Sequence, residues 1–198
     1  GTNGKTSTKE LLVSFLKTKF KVSYSHQNYN STVSLPLSLL ACDEKSEFCI
    51  LEMGASKRGE IKYLCNIANP DFGLVTNISK AHLDGFKDFK DLIETKMHLY
   101  DFVNEKKGTY FLNQDDDNIV LNLPSNCNII SFSEYDSESN YYLDKTEIDI
   151  GNLYINGQLF KIPYKTNIFA SNFLSSYSIA STAGVSESSI RGALQEFS

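Results

Sequence analysis

The chain has 198 residues, enough for one domain with a sizeable core, and its 41% hydrophobic and 22% charged content is that of an ordinary globular fold. A formal net charge of −5 argues against non-specific binding to a nucleic-acid backbone or an anionic membrane, since both want a basic face, so neither is expected as a partner. No apolar run approaches the roughly 18 residues that a membrane helix needs, and none reads as a signal peptide.

The first seven residues, Gly1-Thr2-Asn3-Gly4-Lys5-Thr6-Ser7, form a Gly-rich turn that runs straight into an amphipathic helix expected from about Thr6 to Lys19. Phosphate oxygens are held by this combination of open backbone N–H groups, a helix N-terminus and a Lys ammonium. The Thr6 hydroxyl suits a Mg²⁺ that keeps most of its waters. The plainer reading is a Gly-rich turn capping an ordinary helix. A strand supporting this turn is expected just ahead of Gly1, so the chain reads as an excised domain.

Lys21 to Ser25 alternates like a strand, and His26 to Ser34 is a polar, Asn-rich loop. Pro36 opens a short apolar helix. Phe48 to Met53 is a nearly continuous apolar run, expected as a strand buried on both faces of a parallel sheet. A helix begins at Gly59-Glu60-Ile61 and reaches about Ala68, and a second buried strand runs from Phe72 to Ile78. The loop to Phe86 leads into a helix from about Lys87 to Val103. Thr109 to Leu112 and Asn128 to Phe132 read as strands, with a helical turn around Asp115 to Leu123 between them. Tyr141 to Lys165 is strand-like, and Asn156-Gly157 is a type I′ hairpin signal. Helices from Ile168 to Ala183 and from Ser186 onward complete the chain. The expected fold is α/β: a mostly parallel sheet flanked by helices, with a small antiparallel appendage near residues 141–165. Cys42, Cys49, Cys65 and Cys127 show no C-x-x-C spacing, and Cys49 and Cys65 sit among apolar residues. They read as buried free thiols of a reducing cytosol, which implies a cytoplasmic location.

In such sheets ligands collect at the carboxyl ends of the parallel strands. Glu52 ends one of these runs. A carboxylate there needs a partner, either Lys5 or a metal, and beside a phosphate-binding turn a Mg²⁺ ligand is the better account. Thr76-Asn77 ends the next, with His82 shortly after: a core or surface histidine by itself, and in that loop a candidate ligand for a second metal. Lys96, on the helix after His82, reads as a solvated helix lysine. Asn28 and Asn30 are either turn formers or amide ligands for a peptide or phosphate. His26 and His98 read as non-functional.

Taken together these strings resemble the central domain of the Mur ligases. They are Gly1 to Thr8; Asn28-Tyr29-Asn30-Ser31 before Leu35-Pro36-Leu37; Leu51-Glu52-Met53-Gly54-Ala55-Ser56 with Gly59-Glu60-Ile61; Thr76-Asn77-Ile78 with Ala81-His82-Leu83-Asp84-Gly85-Phe86; and Thr95-Lys96. The match covers about residues 1–115, with a weaker echo from 165 onward. The resemblance implies a P-loop NTPase-like fold and a monomeric ligase of peptidoglycan precursor synthesis. Such a ligase uses ATP to phosphorylate a peptide carboxylate, and an amine then attacks the acyl phosphate. The Glu-Met-Gly-Ala-Ser string is most similar to the branch that joins D-alanyl-D-alanine to UDP-N-acetylmuramoyl-tripeptide.

Carried over by position, the resemblance makes Gly1 to Ser7 the ATP phosphate loop, with Lys5 on the β- and γ-phosphates. Thr6 and Glu52 become ligands of one Mg²⁺, and His82 a ligand of a second. Lys96 becomes a carbamylated lysine supporting the metals, and Asn172 an adenine contact. The chain departs from the family at Gln27 and Ser34, where glycines are usual, at Met97-His98 after the lysine, and in keeping only Asn172 of a Gly-x-His-Asn-x-x-Asn pattern. Alternatives are another ligase of the superfamily, including a folylpolyglutamate synthase, or a non-catalytic nucleotide-binding homologue. The domains for the UDP-sugar and for the incoming amine are expected outside this chain, which alone is not expected to ligate.

Overall fold

The computed structural model describes residues 1–26, 29–80, 83–144, 151–162 and 167–197. After the opening turn come α1 (Lys5–Leu16), β1 (Val22–Tyr24), α2 (Ser34–Leu40) and β2 (Phe48–Ile50). Next are α3 (Glu60–Ala68), β3 (Phe72–Leu74), α4 (Phe89–Glu105), β4 (Thr109–Asn113), α5 (Asp117–Val120) and β5 (Asn128–Ser133). The last third holds β6 (Tyr141–Asp144), β7 (Asn152–Ile155), β8 (Gln158–Lys161), α6 (Asn167–Thr182) and α7 (Glu187–Glu196).

The strands form two sheets, a parallel β1–β2 pair and a six-stranded sheet in the order β3-β4-β5-β6-β7-β8. In the larger sheet β3 to β6 are parallel and β6 to β8 antiparallel. The expected appendage therefore continues the main sheet, joined to it where Phe132 pairs with Tyr141. Its hairpin turn has positive φ at both Asn156 (49°) and Gly157 (77°), as a type I′ turn demands. Residues 145–150 and 163–166 of that stretch lie outside the described residues.

β2 and β3 face each other across a groove of about 450 Å³, floored by Leu12 and Leu16 of α1 and roofed by Leu39 and Leu99. This corrects two expectations. β2 is three residues long rather than six and is not buried on both faces: Phe48 and Ile50 are half-buried, and Cys49 is exposed rather than buried. β3 is likewise shorter than expected, and its first residue, Phe72, is 55% exposed. Both edges line the space beside Gly1 where the strand expected ahead of the opening turn would lie, so their exposure is that of this chain alone.

α1, α6 and α7 cover one face of the large sheet. Leu11 and Phe15 of α1, Phe173 of α6 and Ile190 of α7 share one core with Phe160 of β8, all fully buried. Each such side chain contributes roughly 1.5–3 kcal/mol. Close approach of α1 and α6 relies on small residues, since buried Ser176 donates its hydroxyl to Thr8 O (3.0 Å) and Asn172 O (2.8 Å). α4 and α5 cover the other face with Met97, Tyr100, Val103 and Ile119. A third cluster, Leu35, Ile61, Leu64 and Cys65, seals α2 against α3. These layers place the opening turn, Glu52 and the loop after β3 at the same end of the molecule.

Candidate functional site

The opening turn is shaped from both sides. Gly4 starts α1 with φ 76°, a left-handed conformation that side chains disfavour, and a Cβ there would run into Asn172 Oδ1. On the other side the segment after β3 grips the turn. Asn77 accepts from Asn3 N through Oδ1 (3.0 Å) and donates from Nδ2 to Asn3 O (3.1 Å). Thr76 Oγ1 also donates to Asn3 O (2.6 Å), Thr2 N donates to Asn77 O (2.8 Å), and Ser79 N donates to Thr2 Oγ1 (3.1 Å). That segment is anchored in turn from the sheet and α5, by Asn113 Nδ2 on Thr76 O (2.8 Å) and Asp116 Oδ2 on Ile78 N (2.6 Å). Asn3, Thr6 and Ser7 remain exposed at the mouth. The result is a rigid loop with a helix N-terminus behind it, an arrangement complementary to phosphate oxygens.

Glu52 is 5% exposed, two residues beyond β2, and Ser25 Oγ accepts from its backbone N–H at 3.1 Å. Both its oxygens accept hydrogen bonds, Oε2 from Thr6 Oγ1 (2.8 Å) and Oε1 from Asn30 Nδ2 (2.8 Å), with the Lys5 charge nearby. Gly54 N in turn donates to Asn30 O at 2.7 Å, so the Asn-rich loop and the end of β2 are stitched together around this carboxylate. Thr6 and Glu52 thus bring two hard oxygen donors together, which fits a Mg²⁺ that keeps most of its waters. Among the described residues no group of three or more His, Cys, Asp and Glu side chains is placed to hold a metal.

Two lysines face the loop. Lys5 Nζ donates to Thr2 O (3.0 Å), and Lys96, drawn inward from α4, donates to Gly1 O (3.3 Å). Burial lowers the Lys5 pKa, with Glu52 opposing the shift. Burial first, and then the Lys5 charge, push Lys96 from 10.5 down to about 8. A solvated helix lysine is therefore the wrong description of Lys96. Both ammonium groups rest on backbone carbonyls that a phosphate would outcompete. Beside them lies a cavity of about 370 Å³, lined by Lys5, Lys96, Asn30, Gly54, Glu60 and Asp84.

Of the sequence-derived candidates, Gly1, Thr2, Asn3, Gly4, Lys5, Thr6, Ser7, Glu52, Asn30 and Lys96 come together here. Asn172 joins them from α6, beside Gly4 and near the Thr8 hydroxyl (3.5 Å). Asn28 and His82 lie outside the described residues. The grip of Asn77 on Asn3, and the holding of Glu52 by Asn30, went unread. A strand end rich in Thr and Asn was the available signal, but neither contact is local in sequence. His98 pairs with Asp101 (3.3 Å) on the outer side of α4.

A Gly-Lys-Thr turn at a helix start, facing an acidic strand end across a parallel sheet, defines a P-loop nucleotide-binding fold. The sequence profile of the family "Mur ligase middle domain" matches residues 1–183, and the chain belongs to that family. It is 37% identical over 105 residues to the UDP-N-acetylmuramoyl-tripeptide–D-alanyl-D-alanine ligase of Bacillus subtilis, covering 53% of this chain and 23% of that protein. Among solved structures, the MurF ligase from Thermotoga maritima in complex with ADP superimposes with a TM-score of 0.83 at 29% identity, over 96% of this chain and 46% of that one. MurF from Acinetobacter baumannii gives 0.87 at 24% identity, over 99% and 44%, a likeness of fold. The chain thus spans less than half the length of the proteins it matches. No described helix is long and apolar enough to cross a membrane.

Proposed function

We propose that this chain is the ATP-binding core of a cytoplasmic, monomeric ligase that joins D-alanyl-D-alanine to UDP-N-acetylmuramoyl-tripeptide through an acyl phosphate. The observation carrying this reading is the convergence of Lys5, Thr6, Glu52 and Lys96 on one turn, next to a polar cavity able to hold a carboxylate. The relatives' names supply the substrates, and the ADP complex of the Thermotoga relative supports the nucleotide. UDP-sugar binding and final seating of the amine belong to parts of the relatives that this chain does not span.

In this reading the N–H groups of the opening turn and the Lys5 ammonium hold the β- and γ-phosphates in place, and Asn172 lies toward the adenine. Thr6 and Glu52 are the ligands of one Mg²⁺. His82 and a carbamylated Lys96 are those of a second. When bound, such ions withdraw charge from the phosphoryl oxygens as the acyl phosphate forms. A pKa of about 8 leaves Lys96 a substantial neutral fraction near neutrality, the form that attacks CO₂. Carbamylation exchanges a repelled cation for an anion that supports the metal. Loss of one phosphate-stabilising group costs roughly 10²-fold or more. Lys5→Ala in a chain spanning the full length of the relatives is therefore expected to lower turnover by at least that, and an enzyme within about threefold of wild type would overturn the role.

A further inference from the structure

Cys42 and Cys49 take no part in this site, and their placement is specific. Cys42 follows α2 directly and is tied to it by its Sγ hydrogen bond to Ser38 O (3.3 Å). Cys49 is the middle residue of β2. The two Sγ atoms are 3.0 Å apart. The link between them is pinned to β1 and its approach, with Asp43 N donating to Ser23 Oγ (3.0 Å) and Glu47 N donating to Lys21 O (2.8 Å). This geometry is held by the fold, and closing a bond takes only about 1 Å of sulfur movement. In this chain Cys49 is exposed and Cys42 half-buried, so small reagents reach both. Cys65, by contrast, is fully buried.

We propose that Cys42 and Cys49 form an intramolecular disulfide when the protein meets a small-molecule disulfide such as oxidised glutathione. The Cys42 thiolate attacks one sulfur of the reagent and expels a thiolate, leaving a mixed disulfide on Cys42. Cys49 then gives up its proton and attacks Cys42 Sγ, expelling the second small thiol. Two protein thiols are oxidised, and one small disulfide is reduced to two thiols. Burial, and then Cys42 beside it, push the Cys49 thiol up to about 12, and the same bond results whichever of the two sulfurs attacks first. The bond ties the end of α2 to the centre of β2. Glu52 lies three residues past Cys49, and α2 begins four residues past Asn30, so the tie spans the two segments that meet at the Glu52–Asn30 contact.

Trypsin cleaves between the two cysteines at Lys45, which makes the test direct. The folded 198-residue protein is incubated in oxidised glutathione, blocked with N-ethylmaleimide and digested without reduction. The expected product is peptide 22–45 joined to peptide 46–57, two hydrogens lighter than their sum, with Cys65 and Cys127 alkylated. Cys49→Ser should instead retain glutathione on Cys42. Full alkylation of both residues in wild type, a lasting glutathione adduct on either, or pairing with Cys65 or Cys127 would each overturn the proposal.

Discussion

Glu52 carries one hydrogen bond on each carboxylate oxygen, from Thr6 and from Asn30, each at 2.8 Å. A metal taking the Thr6 side leaves the Asn30 bond in place, so Asn30 sets which oxygen faces the ion. Removing a partner that orients a metal ligand costs roughly 10–100-fold in metal affinity. Asn30→Ala in a chain spanning the full length of the relatives is therefore expected to raise the half-saturating Mg²⁺ concentration of the proposed activity by at least about tenfold. Unchanged Mg²⁺ dependence would show that the contact is incidental. The sequence marked Asn30 as a loop former or a substrate amide and could not reach this role, because the contact joins two segments 22 residues apart. Lys96 was legible only through resemblance; the cause of its perturbation, burial against Gly1 and Lys5, is tertiary. Its folded pKa of about 8 lies below the ordinary 10.5, so the unfolded chain holds the proton more firmly and Lys96 adds stability as pH rises between those values. Trace acetylation across pH should give Lys96 a reactivity midpoint near 8, and a midpoint near 10.5 would place it in solvent.

Helices were the most readable elements, since their apolar spacing and caps are local. Ser186 accepts from Ser189 N at the start of α7, as its Ser-x-x-Ser opening implies, and Asp88 caps α4 through Asp91 N. The strands were read in the right order, but the first three were read too long, because a run such as Phe48 to Met53 is apolar whether or not a neighbour covers it, while β4 and β5 each run one residue further than expected. What joins α4 to the sheet was not readable. Tyr100, fully buried and stacked on Tyr110 at 4.3 Å, accepts from Val75 N (3.1 Å) and donates to Phe111 O (2.6 Å). It thereby fastens the segment that grips the opening turn. Tyr100→Phe strands a buried N–H and C=O, and is expected to cost about 1–3 kcal/mol in urea unfolding. A loss below about 0.5 kcal/mol would mean that other groups take over these bonds.

Across the whole molecule, alternation of strand and helix was enough to predict an α/β fold with its ligands at one end of the sheet. The division into two sheets was not: it falls at the gap beside Gly1, where the sequence expects the strand that supports the opening turn. The phosphate loop, Glu52 and Lys96 border one opening, the cavity lined by Lys5, Asn30 and Lys96. The central claim is that this opening holds a Mg²⁺-bound nucleotide by its phosphates. It is tested most directly by titrating Mg·ADP into the ¹⁵N-labelled protein and following backbone amide shifts, which detect even weak binding. The amides of Asn3 to Ser7 and of Glu52 should move together, and Lys5→Ala should abolish the movement. Shifts confined to other surfaces, or a Lys5→Ala protein that responds as wild type does, would contradict the account.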